Sequence, residues 1–314
     1  MSPASPSRAV PRLLRALATP EEWWPGAAGA VVRRSALPPP GALAAVARWH
    51  RVAPQVAAAL DRVLPDAPDW PSPADREALR AERELTRARH ARAVATLHAV
   101  GDALDGSGLA WAAVKGPLLA GWYPRADLRA YEDLDVLVPR RALGAALDAL
   151  TAAGFRLAAE PWGELVARDV GQVHLSAPTG AVVDLHVDLV HDGATRARFA
   201  VPPAEDLVAA AVPRPVGRRP VPTLDPVAGV LHVCLHAALA GGRRLGWLLD
   251  AGWALAALDP AGRRELPDEA RAWRVAVPVH LVLAAARRTL AAPVPADLLA
   301  ACAPAAGWSA VLDL

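Results

Sequence analysis

Two aspartates separated by a single residue begin an apolar segment in the middle of the chain. Asp133 and Asp135 flank Leu134, and Val136 and Val138 continue the segment. In a β-strand the two carboxylates share one face, about 6–7 Å apart, while the apolar side chains enter the core. Hard divalent cations such as Mg²⁺ bind through one or two carboxylates together with substrate phosphates. The pair therefore predicts a magnesium site, although taken alone it also fits a solvated strand edge.

The only lysine of the chain, Lys115, lies upstream of this pair, although lysine and arginine together number 34. The absence of isoleucine and asparagine indicates a GC-rich genome, in which arginine replaces lysine wherever a plain positive charge suffices. Keeping lysine here suggests that a compact ammonium is required. Gly116 follows at a predicted strand-to-helix turn, where the backbone can approach a phosphate and the helix start favours anions. The alternative is an ordinary junction with one lysine retained by chance.

A third carboxylate lies in a predicted β-hairpin over residues 171–190. Strict alternation in its second strand places Asp184, His186 and Asp188 on one face, opposite an apolar face. Unpaired charge on a buried strand is costly, and a metal shared with the first two aspartates would account for it. A solvent-facing strand side is the alternative. The hairpin register sets His174 opposite Asp184, either orienting that carboxylate or, as we favour, serving structure.

Three further polar residues lie in apolar helical patterns. His232 and His236 are one turn apart, but no third ligand is evident, so core histidines are favoured over a metal pair. Asp250 is expected to pair with Arg243, Arg244 or a nearby backbone group, or to line the nucleotide site, and we favour the structural pairing.

The periodicity predicts an α+β fold in which strands are confined to about residues 109–190 and helices lie on both sides. One long helix, from about residue 73 to 104, interleaves arginine and glutamate, which is typical of a solvated face and alternatively of a basic surface for an acidic acceptor. A helix is expected over 269–290. The predicted organisation is a partly disordered N-terminal extension at 1–40, an N-terminal helical region at 41–105, a core at 106–205 and a C-terminal helical region at 206–314.

Three stretches together carry a resemblance to a known family: VKGPLLAGWYPRADLRAYEDLDVLV, VVDLHVDL and HVCLHAALAGGRRLGWLLDAGWAL. In this order they resemble the DNA polymerase beta-like nucleotidyltransferase superfamily, and more narrowly the bacterial uncharacterised nucleotidyltransferase family. The resemblance covers most of the chain from about residue 45. It implies a small mixed β-sheet and a site with these members: metal ligands Asp133, Asp135 and Asp184, and nucleotide-binding residues Lys115, Gly116 and Arg129. The usual Gly-Ser turn is absent, since Pro117 follows Gly116.

The mechanism implied is two-metal phosphoryl chemistry, in which an acceptor hydroxyl attacks the α-phosphate of an NTP in line and pyrophosphate leaves. The first two aspartates would hold both ions, Asp184 the ion that activates the hydroxyl, and Lys115 and Arg129 would stabilise phosphate charge. The acceptor is not defined: tRNA, a small molecule, a peptide and a protein all fit. A catalytically weak nucleotide- or partner-binding module and a kinase-like phosphoryl transfer at the same site are the alternatives.

The composition bears on the partners and the cellular location of the protein. The net charge of +2 does not by itself indicate a nucleic-acid binder. Neither a signal peptide nor an apolar run of membrane-spanning length is visible, so we expect a cytoplasmic protein without membrane association. Cys234 and Cys302 lie far apart in apolar surroundings and are expected to be buried thiols in a reducing compartment.

Overall fold

A computed structural model describes residues 6–35, 37–65, 70–158 and 171–304. The N-terminal part is helical, with α1 (Pro6–Ala18), α2 (Ala27–Val32), α3 (Ala42–Trp49), α4 (Ala53–Val63) and α5 (Pro73–Gly106). The predicted long helix is confirmed as α5, which begins at a Ser72 cap whose side chain accepts a hydrogen bond from the Asp75 backbone. The disorder predicted for the extreme N-terminus falls on residues 1–5, outside the described residues.

The centre of the described chain is one mixed sheet of seven strands, in the order β3-β4-β5-β2-β1-β7-β6. The strands are β1 (Ala112–Ala113), β2 (Asp133–Leu137), β3 (Arg156–Leu157), β4 (Gln172–Ser176), β5 (Val182–His186), β6 (Val212–Val216) and β7 (Arg219–Thr223). Strand β2 runs parallel to β5 and antiparallel to β1, whereas β4 and β5 form the predicted hairpin. The predicted α+β class with a small mixed sheet is confirmed.

The restriction of strands to residues 109–190 was wrong, because β6 and β7 form a second hairpin within the segment assigned to the C-terminal helical region. Their sequence, VPRPVGRRPVPT, alternates proline with other residues. Proline lacks an N–H and argues against a strand on sequence grounds. In the hairpin, Pro213 lies opposite Pro222 and Pro215 opposite Pro220. Alternate positions of an antiparallel pair need no mutual hydrogen bond, so prolines are tolerated there.

Helices connect and follow these strands. They are α6 (Pro117–Ala120), α7 (Leu143–Ala152), α8 (Gly193–Arg196), α9 (Ala204–Ala209), α10 (Pro226–Leu239), α11 (Leu245–Ala257), α12 (Pro260–Ala272), α13 (Ala276–Leu290) and α14 (Ala296–Ala301). The single helix predicted over 269–290 was wrong, since it divides into the end of α12 and α13. Arg274 takes a φ of 58° at the break, a left-handed conformation that no α-helix continues through.

Two large hydrophobic cores hold these elements together. The smaller one lies under the sheet and joins Leu134, Val136 and Val138 to α5 and α7, as the alternation in β2 predicts. The larger core combines both helical regions, for example Leu13 and Leu249, which are both at most 1% exposed. The N- and C-terminal helices therefore pack against each other around the sheet. Across the described residues, every helix is too short or too polar to cross a bilayer.

Candidate functional site

The candidate site lies on one face of the two central parallel strands. In the register of β2 with β5, Asp135 is the direct neighbour of Asp184, and Leu137 is the neighbour of His186. Side chains on neighbouring strands at paired positions project to the same face. Asp135, Asp184 and His186 consequently offer ligand atoms that all lie within 4.8 Å of one another. The structure thus brings together two of the three predicted carboxylates and adds a histidine that had been given no role.

Asp135 is the most buried member, at 1% exposure. Its Oδ1 atom accepts from Lys115 Nζ at 2.7 Å and from His186 Nε2 at 2.9 Å. Burial alone would raise the pKa of Asp135, but the Lys115 ammonium and the His186 hydrogen bond hold it well below its usual range. Asp135 is therefore ionised and available as an anionic ligand.

Asp184 is held by the predicted cross-strand pair. His174 lies opposite it in the β4–β5 register, and its Nδ1 atom donates to Asp184 Oδ1 at 2.7 Å. Asp188, predicted on the same face, lies beyond the end of β5 and pairs instead with Arg196 at 2.8 Å. The acidic face is thus split between the site and a separate ion pair.

Asp133 lies at the first position of β2 and is half-buried. It does not belong to the compact group of ligand atoms formed by Asp135, Asp184 and His186. Burial and the charges of Asp135 and Asp184 raise its pKa, against the opposing effect of Lys115. A cation placed among these carboxylates would relieve that repulsion, which is the electrostatic signature expected of a metal site.

The Lys115-Gly116 turn, which the sequence predicts to bind phosphate, lies next to this cluster. Gly116 has a φ of 64° and a ψ of −128°, a conformation that L-residues rarely adopt. A Cβ atom there would lie 3.3 Å from the Asp133 carbonyl oxygen and from Leu134 Cδ1. Glycine is therefore required both by the backbone and by its close approach to β2. The helix that follows the turn, α6, ends at Ala120 after four residues, so it adds little to anion binding.

Arg129 is buried and makes contacts within the protein. Its Nε and Nη2 atoms donate to the two carboxylate oxygens of Asp250 at 2.7 and 3.0 Å, and its Nη1 atom donates to the Gly116 carbonyl at 2.9 Å. The Tyr123 hydroxyl also donates to Asp250, at 2.7 Å. Arg129 thus links α11 to the Lys115-Gly116 turn. Its nucleotide contact stays a prediction.

This network corrects the partner expected for Asp250. The structural pairing we favoured is confirmed, but the partner is Arg129 rather than Arg243 or Arg244. Burial alone would lower the pKa of Arg129, whereas the charge and hydrogen bonds of Asp250 raise it above its usual value. A buried, permanently charged guanidinium needs such a partner. The signal in the sequence was a lone acid within the apolar helix α11.

Both histidines that were not favoured as metal ligands lie on α10. His232 and His236 have ring centroids 6.3 Å apart, and neither belongs to the compact ligand group. Burial is the main cause that lowers the pKa of both, to about 3 for His236, with Lys115 adding to the effect. They are neutral, and His236 lines the cleft.

The cleft itself is formed by three parts of the chain. Arg51 comes from the N-terminal helices, Trp247 from α11, and the centre of the cleft is the site described above. Its central lining consists of Lys115, Arg129, Tyr131, Asp133, Asp135 and Asp250.

A divalent cation fits the donors of this cleft. Asp135 Oδ2 and His186 Nδ1 are two of the buried side-chain atoms that have no hydrogen-bond partner among the described residues. Buried polar atoms without a partner are costly, and an unused carboxylate oxygen beside two further carboxylates suits a cation. The donor set therefore agrees with the predicted metal, with Asp135 and Asp184 as the better placed carboxylates.

Residues 39–291 match the family described as "Uncharacterised nucleotidyltransferase". The chain belongs to this family, and it is therefore an enzyme of the nucleotidyltransferase class, a transferase.

Two solved structures show similarity to the chain. A solution structure of the antibiotic-resistance factor ANT(2'')-Ia is 17% identical, with a TM-score of 0.40 over 59% of this chain and 93% of that chain. A crystal structure of ANT(2")-Ia in complex with adenylyl-2"-tobramycin is also 17% identical, with a TM-score of 0.40 over 57% of this chain and 96% of that chain. No curated protein matches the sequence.

Proposed function

We propose that this enzyme transfers an NMP group from an NTP to an acceptor hydroxyl, with magnesium as its metal. The observation that carries the proposal is the pairing of Asp135 with Asp184 on adjacent parallel strands, with Lys115 Nζ 2.7 Å from Asp135. Family membership supports the nucleotidyl-transfer chemistry. The two free, buried cysteines Cys234 and Cys302 support a reducing, cytoplasmic location.

Asp133, Asp135 and Asp184 would hold the metal, and His186 is a further candidate ligand. When bound as a pair, Mg²⁺ ions supply charge neutralisation at the phosphates and activation of the attacking oxygen. In the transfer, the acceptor hydroxyl loses its proton to water and its oxygen forms a bond to the α-phosphorus, and the bond from that phosphorus to the oxygen bridging to the β-phosphate breaks, which releases pyrophosphate.

The chain's own residues bind and orient the reactants. Lys115 is the ammonium closest to the carboxylates, and a triphosphate offers it an alternative anionic partner. The Arg129–Asp250 pair fixes the Gly116 carbonyl, which holds the turn in the conformation that lets its backbone approach a phosphate. Orientation by a rigid turn reduces the entropy lost when the nucleotide is bound productively.

The test is binding of ATP and GTP in the presence and absence of Mg²⁺, measured by calorimetry on the wild type, Asp135→Asn and Asp184→Asn. Asp188→Asn is the matched control, because it lies in the same segment but pairs with Arg196 outside the site. We expect Mg²⁺-dependent binding that both site variants lose and the control keeps. Binding that is equal in all four proteins would contradict the proposed metal site.

The product then distinguishes the two group transfers. With an acceptor in hand, α-labelled ATP labels the product of nucleotidyl transfer, and pyrophosphate is released. A product labelled only from γ-labelled ATP, with release of ADP, would instead establish the kinase-like reaction.

A further inference from the structure

A second cavity adjoins the site cleft and shares Tyr131 and Asp133 with it. Arg89 and Arg92 of α5 and Val182 of β5 contribute to its lining. We call it the arginine groove. Asp133 is therefore accessible from two cavities, of which one contains the Lys115-Gly116 turn and the other contains two arginines.

The two arginines of the groove differ from the others on the same helix. Four other arginines of α5 have partners within the protein: Arg76 with the carbonyls of Leu64 and Trp70, Arg80 with Asp61, and Arg83 and Arg87 with Asp127. Arg89 and Arg92 form no ion pair with any described residue. The predicted solvated face of α5 therefore carries ion-paired arginines along one part and, at the groove, two arginines without an ion pair to any described residue.

Other charges in the groove do not neutralise these arginines. Besides Asp133, its acidic member is Glu132, whose carboxylate pairs with Arg51 at 3.3 Å in the lining of the site cleft. Arg89 and Arg92 are three residues apart, so their side chains emerge on the same side of the helix. Two guanidinium groups on one side present two forks of N–H donors to a single anion.

We propose that the arginine groove binds a phosphate group of the acceptor, so that the acceptor is a phosphate-bearing molecule whose hydroxyl reaches the Asp133 edge of β2. The inference rests on the proposed function and identifies the chemical class of its second substrate. A phosphate monoester is favoured over a carboxylate because its three terminal oxygens can engage both guanidinium forks, whereas one fork satisfies a carboxylate. The phosphate can be the monoester of a small phosphorylated metabolite or the last phosphodiester before the free 3′ hydroxyl of an RNA.

The experiment compares wild type with Arg89→Gln/Arg92→Gln, using two probes. The first is a fluorescein-labelled short single-stranded RNA with a free 3′ hydroxyl, followed by anisotropy at several salt concentrations. The second is ribose 5-phosphate, followed by calorimetry. The control is Arg287→Gln/Arg288→Gln on α13, which removes the same charge from two exposed arginines that line neither cavity.

For an RNA source we expect the double variant to bind the RNA at least tenfold more weakly, with the slope of log K against log salt smaller by about 0.7, since the groove contacts one phosphate and each single-strand phosphate contact contributes about 0.7. For a small-molecule source we expect wild type to bind ribose 5-phosphate and the double variant to bind it with at least tenfold lower affinity. Equal binding by wild type and variant, an equal loss in the control, or no binding of either probe by wild type would overturn the proposal.

Binding of Mg²⁺ and ATP to the same proteins separates this inference from the proposed function. The groove variant keeps every residue of the metal cluster and the Lys115-Gly116 turn, so we expect it to bind MgATP as wild type does. If wild type does not bind MgATP, that result counts against the proposed function. The comparison of the phosphate probes would still decide whether the arginine groove binds a phosphate.

Discussion

The buried ion pair between Arg129 and Asp250 supports the sharpest prediction on stability. Asp250 is 7% exposed and accepts hydrogen bonds from Arg129 and from the Tyr123 hydroxyl. Asp250→Asn removes the counter-charge but leaves Arg129 buried, and the raised pKa of Arg129 shows how strongly its charge depends on that partner. Removing one partner of a buried pair costs about 3–5 kcal/mol, because the remaining charge is left uncompensated.

The assay is urea unfolding followed by tryptophan fluorescence. If the free energy of unfolding falls by about 3 kcal/mol per molar urea, the predicted loss of stability lowers the urea midpoint by about 1 M or more. The control is Asp268→Asn, which breaks an exposed pair with Arg271 on the surface and should leave the midpoint essentially unchanged.

A double-mutant cycle tests the reasoning itself. Because Arg129→Gln and Asp250→Asn each leave one charge stranded, the double variant should lose less stability than the two losses added together, by about 1–3 kcal/mol. Additive losses, or a midpoint for Asp250→Asn within about 0.3 M of wild type, would refute the account of this pair as a mutually dependent buried contact.

Three further predictions concern single side chains. In urea unfolding, Gly116→Ala should lower stability by about 1–2 kcal/mol more than Gly180→Ala. Both positions have positive φ, but only a Cβ atom at Gly116 would meet other atoms within 4 Å, and equal losses would argue against the close approach to β2. Lys115→Met should tighten calorimetric binding of Mn²⁺ alone and weaken binding of MgATP, because the ammonium 2.7 Å from Asp135 competes with a cation but favours phosphate; weaker Mn²⁺ binding would contradict this. Burial alone would raise the pKa of Asp127, but hydrogen bonds and charge from Arg125 and Arg83 lower it. The stabilising effect of the ionised Asp127 is therefore present above the unfolded pKa of about 3.9, and it is lost as pH falls through the lowered pKa of the folded state. The stability difference between wild type and Asp127→Asn should therefore stay constant from about pH 7 to pH 5 and shrink below about pH 4, and a difference that grows on acidification would contradict the assignment.

Local patterns in the sequence were sufficient to predict the strands at the centre of the fold. Alternation in β2 and β5 placed Asp135 and Asp184 on polar faces, and the parallel register then made them neighbours. The hairpin register was enough to pair His174 with Asp184. These features depend on a two-residue period and a short turn, both of which are visible within a few residues.

Features that depend on distant partners could not be predicted in the same way. Arg129 and Asp250 are 121 residues apart, and helical periodicity indicates that Asp250 needs a partner without indicating which one. The β6–β7 hairpin was missed because Pro213 and Pro222 read as breakers, and only their pairing with each other makes the strands acceptable. In both cases a residue that is unfavourable alone becomes acceptable through a contact made elsewhere in the chain.

The two positively charged side chains of the site, Arg129 and Lys115, are held in different ways. Arg129 is held by a planar two-point contact to Asp250 and donates to the Gly116 carbonyl, so it fixes the turn. Among the described residues, Lys115 forms one ion pair, with Asp135, from a flexible side chain. An ammonium can leave one oxygen for another without breaking a planar arrangement, which suits the role we propose for Lys115, neutralising Asp135 before nucleotide binds and a phosphate afterwards. Arginine favours planar two-point contacts with carboxylates, so under the proposed function a lysine suits this position better than the arginine that the chain uses elsewhere.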